Sequence, residues 1–365
     1  MILRLLTIIC VLFCPVFAGQ TAATVYVSQT ASGPSSDGTS WQTAYKTLTQ
    51  ALAQPTLTGH VWVAQGTYTA NHVIPANVAV YGGFAGNEAS LTARNPARYR
   101  SVLDGNQSGA VVTINAGSRV DGFTIRNGKG YSGGGVKGSS PTLAVIANNI
   151  IEDNTALWSG GGIYIEMLAA NLQIQGNTIR RNRSLGCGGG VGIYQTSHAE
   201  ADSPKLYDNV LRDNSAVLDG GGVWAYYSTP HIERCSVWNN IAERNGGGIF
   251  IYHSYATIIW NHVSRNIAKS TTNGGGGLYV DFHSIPLVAD NTFEYNKAYR
   301  GGASWQDYQT QVMFLRNLVV GNKATDAGGA LYTYPGAAPE VSNNLFVGNT
   351  AAIGDFNPLI RPCGM

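Results

Sequence analysis

The stretch N-T-I-R-R-N-R-S-L-G-C-G-G-G-V-G-I-Y, residues 177–194, contains both signals that decide the fold. It opens with an Asn-x-apolar-x-x-Asn turn and continues into a Gly-Gly-Gly turn. After the glycines comes a short run in which the side chains alternate, as they do in a strand with one buried face. Variants of this unit recur down most of the chain, which predicts a repeat protein.

The two signals recur in step. The glycine turns begin at Gly133, Gly160, Gly188, Gly220, Gly246, Gly275, Gly301 and Gly328, and the closing asparagines are Asn154, Asn182, Asn214, Asn240, Asn266, Asn296, Asn322 and Asn349. Each series advances 195 residues in seven steps, a mean of about 28. A fixed period of this length is typical of a solenoid.

The spacing also explains why the coils must stack. A coil with two or three short strands cannot bury its own apolar face, so each strand pairs with its counterpart in the next coil, about 4.8 Å away. We expect glycine at the corners for positive φ and close backbone approach. Asparagine tolerates left-handed backbone, and its amide can bond the equivalent amide in the next coil. A helical pattern in residues 43–54 predicts a cap over the first coil.

Several motifs resemble those of known families. The repeats of polymorphic outer membrane proteins are similar to Gly160-Gly161-Gly162-Ile163, Gly328-Gly329-Ala330-Leu331 and Phe293-Glu294-Tyr295-Asn296. The entry region of bacterial extracellular β-helix proteins is similar to Asp37-Gly38-Thr39-Ser40-Trp41, Gly66-Thr67-Tyr68 and Tyr81-Gly82-Gly83-Phe84-Ala85-Gly86. The resemblance implies a pectin-lyase-like fold. We therefore expect an all-β protein, a single-stranded right-handed parallel β-helix solenoid of about ten coils of about 28 residues with a short N-terminal capping helix. This scaffold hosts lyases, hydrolases, esterases and adhesins, so it fixes no function.

The first eighteen residues predict a bacterial-type signal peptide. Arg4 precedes an apolar run from Leu5 to Cys14, and Val16-Phe17-Ala18 offers a cleavage site. Such a run is too short to span a bilayer, which needs about 20 residues, and we expect no membrane span and a secreted or cell-surface protein. The predicted boundaries are 1–18 for the signal peptide, 19–130 for the cap and first coils, 131–350 for the regular repeats and 351–365 for a C-terminal tail or cap.

Charge and cysteine content exclude some functions. The chain has 23 basic and 21 acidic residues and no basic stripe, so nucleic acid is not the expected partner. Three cysteines follow the leader: Cys187, Cys235 and Cys363. They form no Cys-x-x-Cys pair, and we expect buried structural thiols, with one disulfide among them left open.

The strand after each glycine turn carries an unusual set of side chains. Counted from the last small residue of the turn, its second position holds Lys137, Tyr164, Gly192, Trp224, Phe250, Tyr279, Trp305 and Tyr332, and its fourth holds Glu166, Tyr194, Tyr226, Tyr252, Asp281, Asp307 and Tyr334. Alternation predicts that both positions face solvent, where stacked rings suit sugars. The predicted substrate-binding residues are Tyr164, Trp224, Tyr226, Phe250, Tyr252, Tyr279, Trp305 and Tyr332, with His253 and His283 nearby. Alternatively, loops bury the rings, or the rings only stabilise the sheet.

Asp281 and Asp307 are the candidate catalytic pair. They occupy equivalent positions 26 residues apart, which predicts carboxylates about 5 Å apart. Such a pair can divide into an acid and a base or bind Ca²⁺, although two solvated acids are the simpler interpretation. Arg300 is the one basic residue we place nearby, and a third acid is missing because Tyr252 and Tyr334 occupy the neighbouring positions.

These features favour a secreted protein that binds, and in one interpretation cleaves, a polysaccharide or cell-surface glycan, as a lyase or a hydrolase. The alternative is a non-catalytic, adhesin-like display protein. The sequence names neither the sugar nor the oligomeric state.

Overall fold

The structure is a computed structural model that describes residues 24–167, 169–196 and 203–354. The predicted signal peptide, Cys363 and residues 355–365 of the predicted tail lie outside the described residues. Within the described ranges, none of the helices has the length and apolar character that crossing a bilayer requires.

Four parallel sheets run along the chain, and each regular coil adds one strand to every sheet. In one coil these strands are Gln173–Gln175, Thr178–Arg180, Arg183–Ser184 and Val191–Tyr194. Each pairs in register with its counterpart in the next coil. The predicted parallel β-helix is therefore confirmed. A coil has four strands rather than two or three, because a residue with positive φ at each Asn turn ends one strand before the next begins.

The first and second sheets form two adjoining sides of the solenoid. The first contains Thr24–Val27, Gly59–Ala64, Val78–Phe84, Arg119–Asp121, Val145–Ala147, Gln173–Gln175, Lys205–Tyr207, His231–Glu233, Thr257–Ile259, Leu287–Ala289, Met313–Leu315 and Glu340–Ser342. The second contains Gly66–Thr69, Ser101–Asp104, Phe123–Arg126, Ile150–Glu152, Thr178–Arg180, Val210–Arg212, Ser236–Trp238, His262–Ser264, Thr292–Glu294, Leu318–Val320 and Leu345–Val347.

The third and fourth sheets lie before and after the glycine turns. The third contains Lys129–Ser132, Thr155–Ser159, Arg183–Ser184, Ser215–Ala216, Ile241–Ala242, Ile267–Ala268, Lys297–Ala298 and Lys323–Ala324. The fourth contains His72–Ile74, Val112–Ile114, Val136–Ser139, Ile163–Glu166, Val191–Tyr194, Val223–Tyr226, Ile249–Tyr252, Leu278–Asp281, Ser304–Gln306 and Leu331–Thr333.

A short helix, α1 (Leu48–Leu52), packs at the N-terminal end of the solenoid. Thr47 begins it with a capping box to Gln50, and Leu48 is buried in the main core. The helix is shorter than the predicted 43–54, because Tyr45 pairs with the first strand through the Tyr26 carbonyl, 3.0 Å away. A 3-10 helix, Leu91–Ala93, lies further along the chain.

The interior is one continuous stack of aliphatic side chains. Along the second sheet Ile151, Ile179, Leu211, Val237 and Val263 lie in register, and all are fully buried. Such stacking gives each coil the apolar burial that it lacks alone.

The closing asparagines form a buried hydrogen-bonded ladder, as predicted. The backbone N–H of Asn214 donates to Oδ1 of Asn240 at 3.1 Å, and Nδ2 of Asn214 donates to the same oxygen at 3.0 Å and to the Ile179 carbonyl at 2.9 Å. The left-handed backbone falls on the preceding residue, such as Asp213 with φ 56°. The ladder asparagines do not take the left-handed conformation themselves, although Asn148, Asn239 and Asn343 take it at the preceding position.

The glycine turns meet both of their predicted requirements. Gly160 opens its turn with φ 68°. A Cβ on the next residue, Gly161, would lie 2.4 Å from the Gly189 carbonyl oxygen of the next coil, too close for any side chain.

A second ladder, formed by the first asparagine of each turn, is interrupted at Cys235. The Cys235 thiol lies 3.8 Å from Nδ2 of Asn209, where the other coils place an amide oxygen. We expect Cys235→Asn to raise the free energy of unfolding by about 1 kcal/mol, the usual net value of a hydrogen bond. Urea unfolding of both proteins measures this. An equal or lower midpoint for the variant would mean that the ladder does not govern stability at this corner.

Candidate functional site

The second-position rings point away from the main core but are not exposed. Trp224, Phe250, Tyr279 and Trp305 form a separate apolar cluster on the outside of the fourth sheet. Tyr279 and Trp305 are each only 1% exposed. Tyr164 is buried as well, and Tyr332 is half-buried. The expectation of a solvent-exposed platform at this position is therefore wrong.

Burial follows from how closely the rings stack. The Tyr279 centroid lies 5.2 Å from Phe250 and 5.7 Å from Trp305, with interplanar angles of 13° and 5°. Trp305 stacks in turn on Tyr332 at 4.4 Å. The ring faces contact one another, so a sugar cannot stack on them.

A neighbouring tryptophan fills the one gap in this row. Gly192 stands where the adjacent coils carry Tyr164 and Trp224. The ring of Trp158, from the third sheet, lies 5.6 Å from Tyr164 and 5.9 Å from Trp224. The missing side chain is thus replaced from outside the strand, and the row stays closed.

The fourth-position rings form the accessible row. Tyr194, Tyr226 and Tyr252 are half-buried, with centroids 5.5 Å and 4.6 Å apart along the row. Because these rings also stack on one another, they present edges and hydroxyl groups rather than faces to solvent. Among the predicted binding residues in the strands of the fourth sheet, Tyr226 and Tyr252 lie in this accessible row.

A second aromatic row adjoins the first, and the sequence analysis missed part of it. Tyr227 stacks on His253 at 4.3 Å, and Phe282 lies 3.9 Å from His283. The two histidine rings are 5.7 Å apart, and His283 is exposed. The structure thus places His253 beside Tyr252, with ring centroids 6.5 Å apart, and His283 beside His253. The signal that would have revealed Tyr227 and Phe282 is their position directly after the fourth-position residue.

The two aspartates take the place of tyrosine in the fourth-position row. Tyr279 pairs with Trp305 and Val280 with Gln306, and the Asp307 N–H donates to the Val280 carbonyl at 2.8 Å. Asp281 and Asp307 are therefore equivalent residues of adjacent coils, as predicted.

Both carboxylates are fixed by the turn that follows them. Oδ1 of Asp281 accepts the N–H of Phe282 at 2.8 Å, and Oδ1 of Asp307 accepts the N–H of Tyr308 at 2.7 Å. These coils read Asp-aromatic-x-Ser/Thr at 281–284 and 307–310, one residue longer than Tyr-His-Ser at 252–254. This repeated insertion marks the two coils of the acid pair in the sequence.

The two carboxyl groups have different surroundings. Burial, and then the nearby Asp307 charge, raise the pKa of Asp281 from 3.8 to about 6. Asp307 accepts a hydrogen bond at Oδ2 from the Tyr279 hydroxyl, whose own pKa is raised by burial, so that it remains a donor. Among the described residues, no group donates to Oδ2 of Asp281. The pair thus combines a carboxyl that protonates easily with one that is held as an acceptor.

The predicted basic residue and a second arginine are each paired with an aspartate. Arg300 is paired with Asp326 and lies over the Tyr332 ring at 5.2 Å. Arg244 and its partner Asp219 interact electrostatically with Asp281 instead. The charge of Asp219, from an earlier coil, acts on Asp281, so the expectation that no further acid lies near the pair is corrected, while the placement of Arg300 beside the pair stays a prediction.

The structure gives little support to a metal centre. Within the described ranges, no three or more His, Cys, Asp or Glu side chains are gathered as metal ligands. The predicted Ca²⁺ at Asp281 and Asp307 would have two protein carboxylates, each with one oxygen already bonded to a backbone N–H.

Comparison with solved structures finds two proteins, one of them in two crystal structures. The chain is similar to the GH136 lacto-N-biosidase from Eubacterium ramulus, with 13% identity and a TM-score of 0.58 over 89% of this chain and 68% of that chain for the selenomethionine derivative. For the native protein the identity is 12% and the TM-score is 0.54, over 88% of this chain and 67% of that chain. A further similar structure is the tailspike protein gp49 of Acinetobacter baumannii bacteriophage Fri1, a capsular polysaccharide depolymerase. Its identity is 14% and its TM-score is 0.35, over 81% of this chain and 57% of that chain. At these identities the likeness to the lacto-N-biosidase concerns the fold alone.

Sequence comparison defines the family. No curated protein matches the sequence. The family model described as right handed beta helix region matches residues 68–209, 100–266 and 189–357. The predicted handedness is thereby confirmed, while the resemblance to polymorphic outer membrane proteins and to the pectin-lyase-like class stays a prediction. Because the matches together extend from residue 68 to residue 357, well over half of the chain, it belongs to the family of proteins with a right-handed β-helix region.

Proposed function

We propose that the protein binds a glycan along the Tyr194, Tyr226 and Tyr252 row and hydrolyses a glycosidic bond at Asp281 and Asp307. The observation that carries this proposal is the pair of equivalent carboxyls in unequal surroundings on adjacent coils. Glycoside hydrolysis requires this division, with one carboxyl protonated and the other ionised.

The surroundings assign a role to each carboxyl. Asp281, with its raised pKa and an oxygen free of hydrogen bonds from the described residues, donates a proton to the leaving-group oxygen. Asp307, held by the Tyr279 hydroxyl and the Tyr308 N–H, attacks the anomeric carbon as the bond to the leaving-group oxygen breaks. Water, deprotonated by the Asp281 carboxylate, then breaks the bond between Asp307 and the sugar and restores both carboxyl groups. Adjacent strands lie about 4.8 Å apart, close to the roughly 5–5.5 Å between the carboxyls of retaining enzymes. We therefore propose retention of configuration.

The binding surface complements this chemistry. Tyrosine edges and hydroxyls donate and accept hydrogen bonds with sugar hydroxyls, and the half-buried His253 and exposed His283 extend the polar surface. The lacto-N-biosidase with this fold acts on a glycan by its name, which supports testing glycans first. A signal peptide in residues 1–18, which stays a prediction, is consistent with a substrate outside the cell.

A display role is the second candidate, and the burial of the second-position rings favours it. Rings that stack on one another stabilise a long sheet without any ligand. An adhesin-like protein would then present the same tyrosine row to a cell-surface glycan without cleaving it.

Incubation of the purified chain without residues 1–18 with neutral and acidic glycans, with and without Ca²⁺, tests the proposal. We expect new reducing ends and no ultraviolet absorbance from unsaturated sugar ends, and we expect chelation to change little. Unsaturated ends would identify a lyase and overturn the assignment of roles. Binding without new ends from any glycan would favour the display role.

A further inference from the structure

Two lysines stand side by side on the outer face of the third sheet. Lys297 and Lys323 are register partners in adjacent coils, and both are exposed, because the alanine that follows each of them is buried. Adjacent strands lie about 4.8 Å apart, and like charges directly opposite one another destabilise a sheet. In the six earlier strands of this sheet no two neighbouring first residues share a charge: Lys129, Thr155, Arg183, Ser215, Ile241 and Ile267.

The other cations of these coils are neutralised. Nζ of Lys269 lies 2.8 Å from Oε1 of Glu243, and Arg300 pairs with Asp326. Among the described residues, no carboxylate forms an ion pair with Lys297 or Lys323. The last two strands of the sheet therefore carry an excess of positive charge, which an anion from outside the chain can compensate.

An open cavity of about 340 Å³ adjoins this pair, and Lys297 lines it. The cavity is also lined by the hydroxyl-bearing side chains of Ser270, Thr271 and Thr325 and by the half-buried ring of Tyr299. Hydroxyl groups donate to and accept from the hydroxyls of a sugar, and an aromatic ring packs against its apolar face. The cavity thus combines the contacts that a sugar uses with an uncompensated cation.

We propose that this cavity and the Lys297–Lys323 pair bind a sugar that carries a carboxylate or sulfate group. An oxyanion between two ammonium groups about 5 Å apart accepts a charge-assisted hydrogen bond from each. The cavity lies on the third sheet, before the glycine turn, whereas Asp281 and the acid pair lie after it. The inference goes beyond the proposed hydrolysis and rests on the proposed glycan binding only in taking a sugar as the ligand.

Calorimetry with three probes tests the proposal: chondroitin sulfate oligosaccharides, neutral cello-oligosaccharides of equal length, and inorganic sulfate. We expect the wild-type protein to bind the acidic oligosaccharide at least about tenfold more tightly than either other probe. Lys297→Gln and Lys323→Gln each remove one charge-assisted hydrogen bond but keep a polar side chain. Each variant should bind the acidic oligosaccharide about tenfold more weakly than the wild-type protein does.

Lys129→Gln is the matched control. Lys129 is the exposed first residue of another strand of the same sheet, and its register partner is Thr155 rather than a second lysine. We expect this variant to bind the acidic oligosaccharide as the wild-type protein does. An equal loss in the control, or no loss in Lys297→Gln and Lys323→Gln, overturns the proposed site. Equally tight binding of inorganic sulfate would overturn the assignment of a sugar as the ligand.

The ligand-free protein provides a test of the charge excess itself. Removal of one of two repelling charges should raise the thermal midpoint of Lys297→Gln at low ionic strength, and added salt should abolish the difference by screening. A lower midpoint at low ionic strength would contradict the repulsion on which the site depends. Release of reducing ends from neutral glycans without binding of the acidic probe overturns this inference and leaves the proposed function intact. Failure to bind any glycan would remove both.

Discussion

Replacement of Asp281 by asparagine is expected to lower kcat by about 10²–10⁴-fold, the range of general acid catalysis. The amide cannot donate the proton that the leaving group needs, but it has the shape of the carboxyl and can accept the same Phe282 N–H. Affinity for the glycan should therefore remain nearly unchanged. Reducing-end assays and calorimetry on the same preparations separate the two effects.

Asp208→Asn is the control for this variant. Asp208 pairs with Arg234 at 2.9 Å at a corner between the first and second sheets, far along the coil from the acid pair. The account expects full activity from it. If Asp281→Asn kept the activity of Asp208→Asn, catalysis at this pair would be excluded.

Loss of activity in Asp281→Asn should not come from unfolding. The folded state raises the pKa of Asp281 to about 6, so it favours the protonated form over the ionised one. Any stability that this preference contributes is present at low pH and is lost as pH rises through about 6. Above that pH the asparagine variant should be at least as stable as the wild-type protein, which thermal unfolding at pH 8 can verify.

The wild-type pH profile has a related expectation. A general acid must be protonated to act, so kcat should fall as pH rises through about 6, the raised pKa of Asp281. A flat profile between pH 5 and pH 8, a range that spans this value, would argue against Asp281 as the acid.

The second large effect concerns stability. Asn240→Ala removes an amide that donates to Leu211 and Asn266 and accepts from Asn214, all in buried surroundings. Each buried group left unpaired costs about 1–3 kcal/mol, so we expect a loss of about 3 kcal/mol or more in the free energy of unfolding. Urea denaturation at equal m-value measures it.

Asn344→Ala is the matched comparison, since Asn344 ends the other ladder and is half-buried. Water can replace its bonds, and we expect a loss of about 1 kcal/mol or less. Equal losses of unfolding free energy at the two positions would show that burial of the ladder amides does not determine how much they stabilise the protein.

The fold could be predicted because its signals are local and repeated. The positive φ seen at Gly160 and the close backbone approach seen at Gly161 recur at the equivalent glycines of the other regular coils, and the asparagine spacing repeats with them. The four-strand coil was not predicted, because two strands of three residues, separated by a left-handed residue and an asparagine, resemble a single longer strand in the sequence.

The site was predicted less completely because alternation gives the direction of a side chain and not its neighbours. Tyr279 and Trp305 do point outward, yet stacking along the row buries them. The charges of Asp219 and Arg244 act on Asp281, and Arg300 pairs with Asp326, 26 residues on. Such partners depend on which residues of adjacent coils meet in space, and spacing alone does not reveal them.

Direct titration of the aspartate carboxyls by carbon-13 NMR tests the central claim without knowledge of the substrate. The account predicts one resonance that titrates near pH 6, is absent from Asp281→Asn, and moves to lower pH in Asp307→Asn because the neighbouring charge is removed. If every aspartate titrated near its ordinary value of 3.8, the two carboxyls would not form an acid and base pair, and the proposed hydrolysis would have no proton donor.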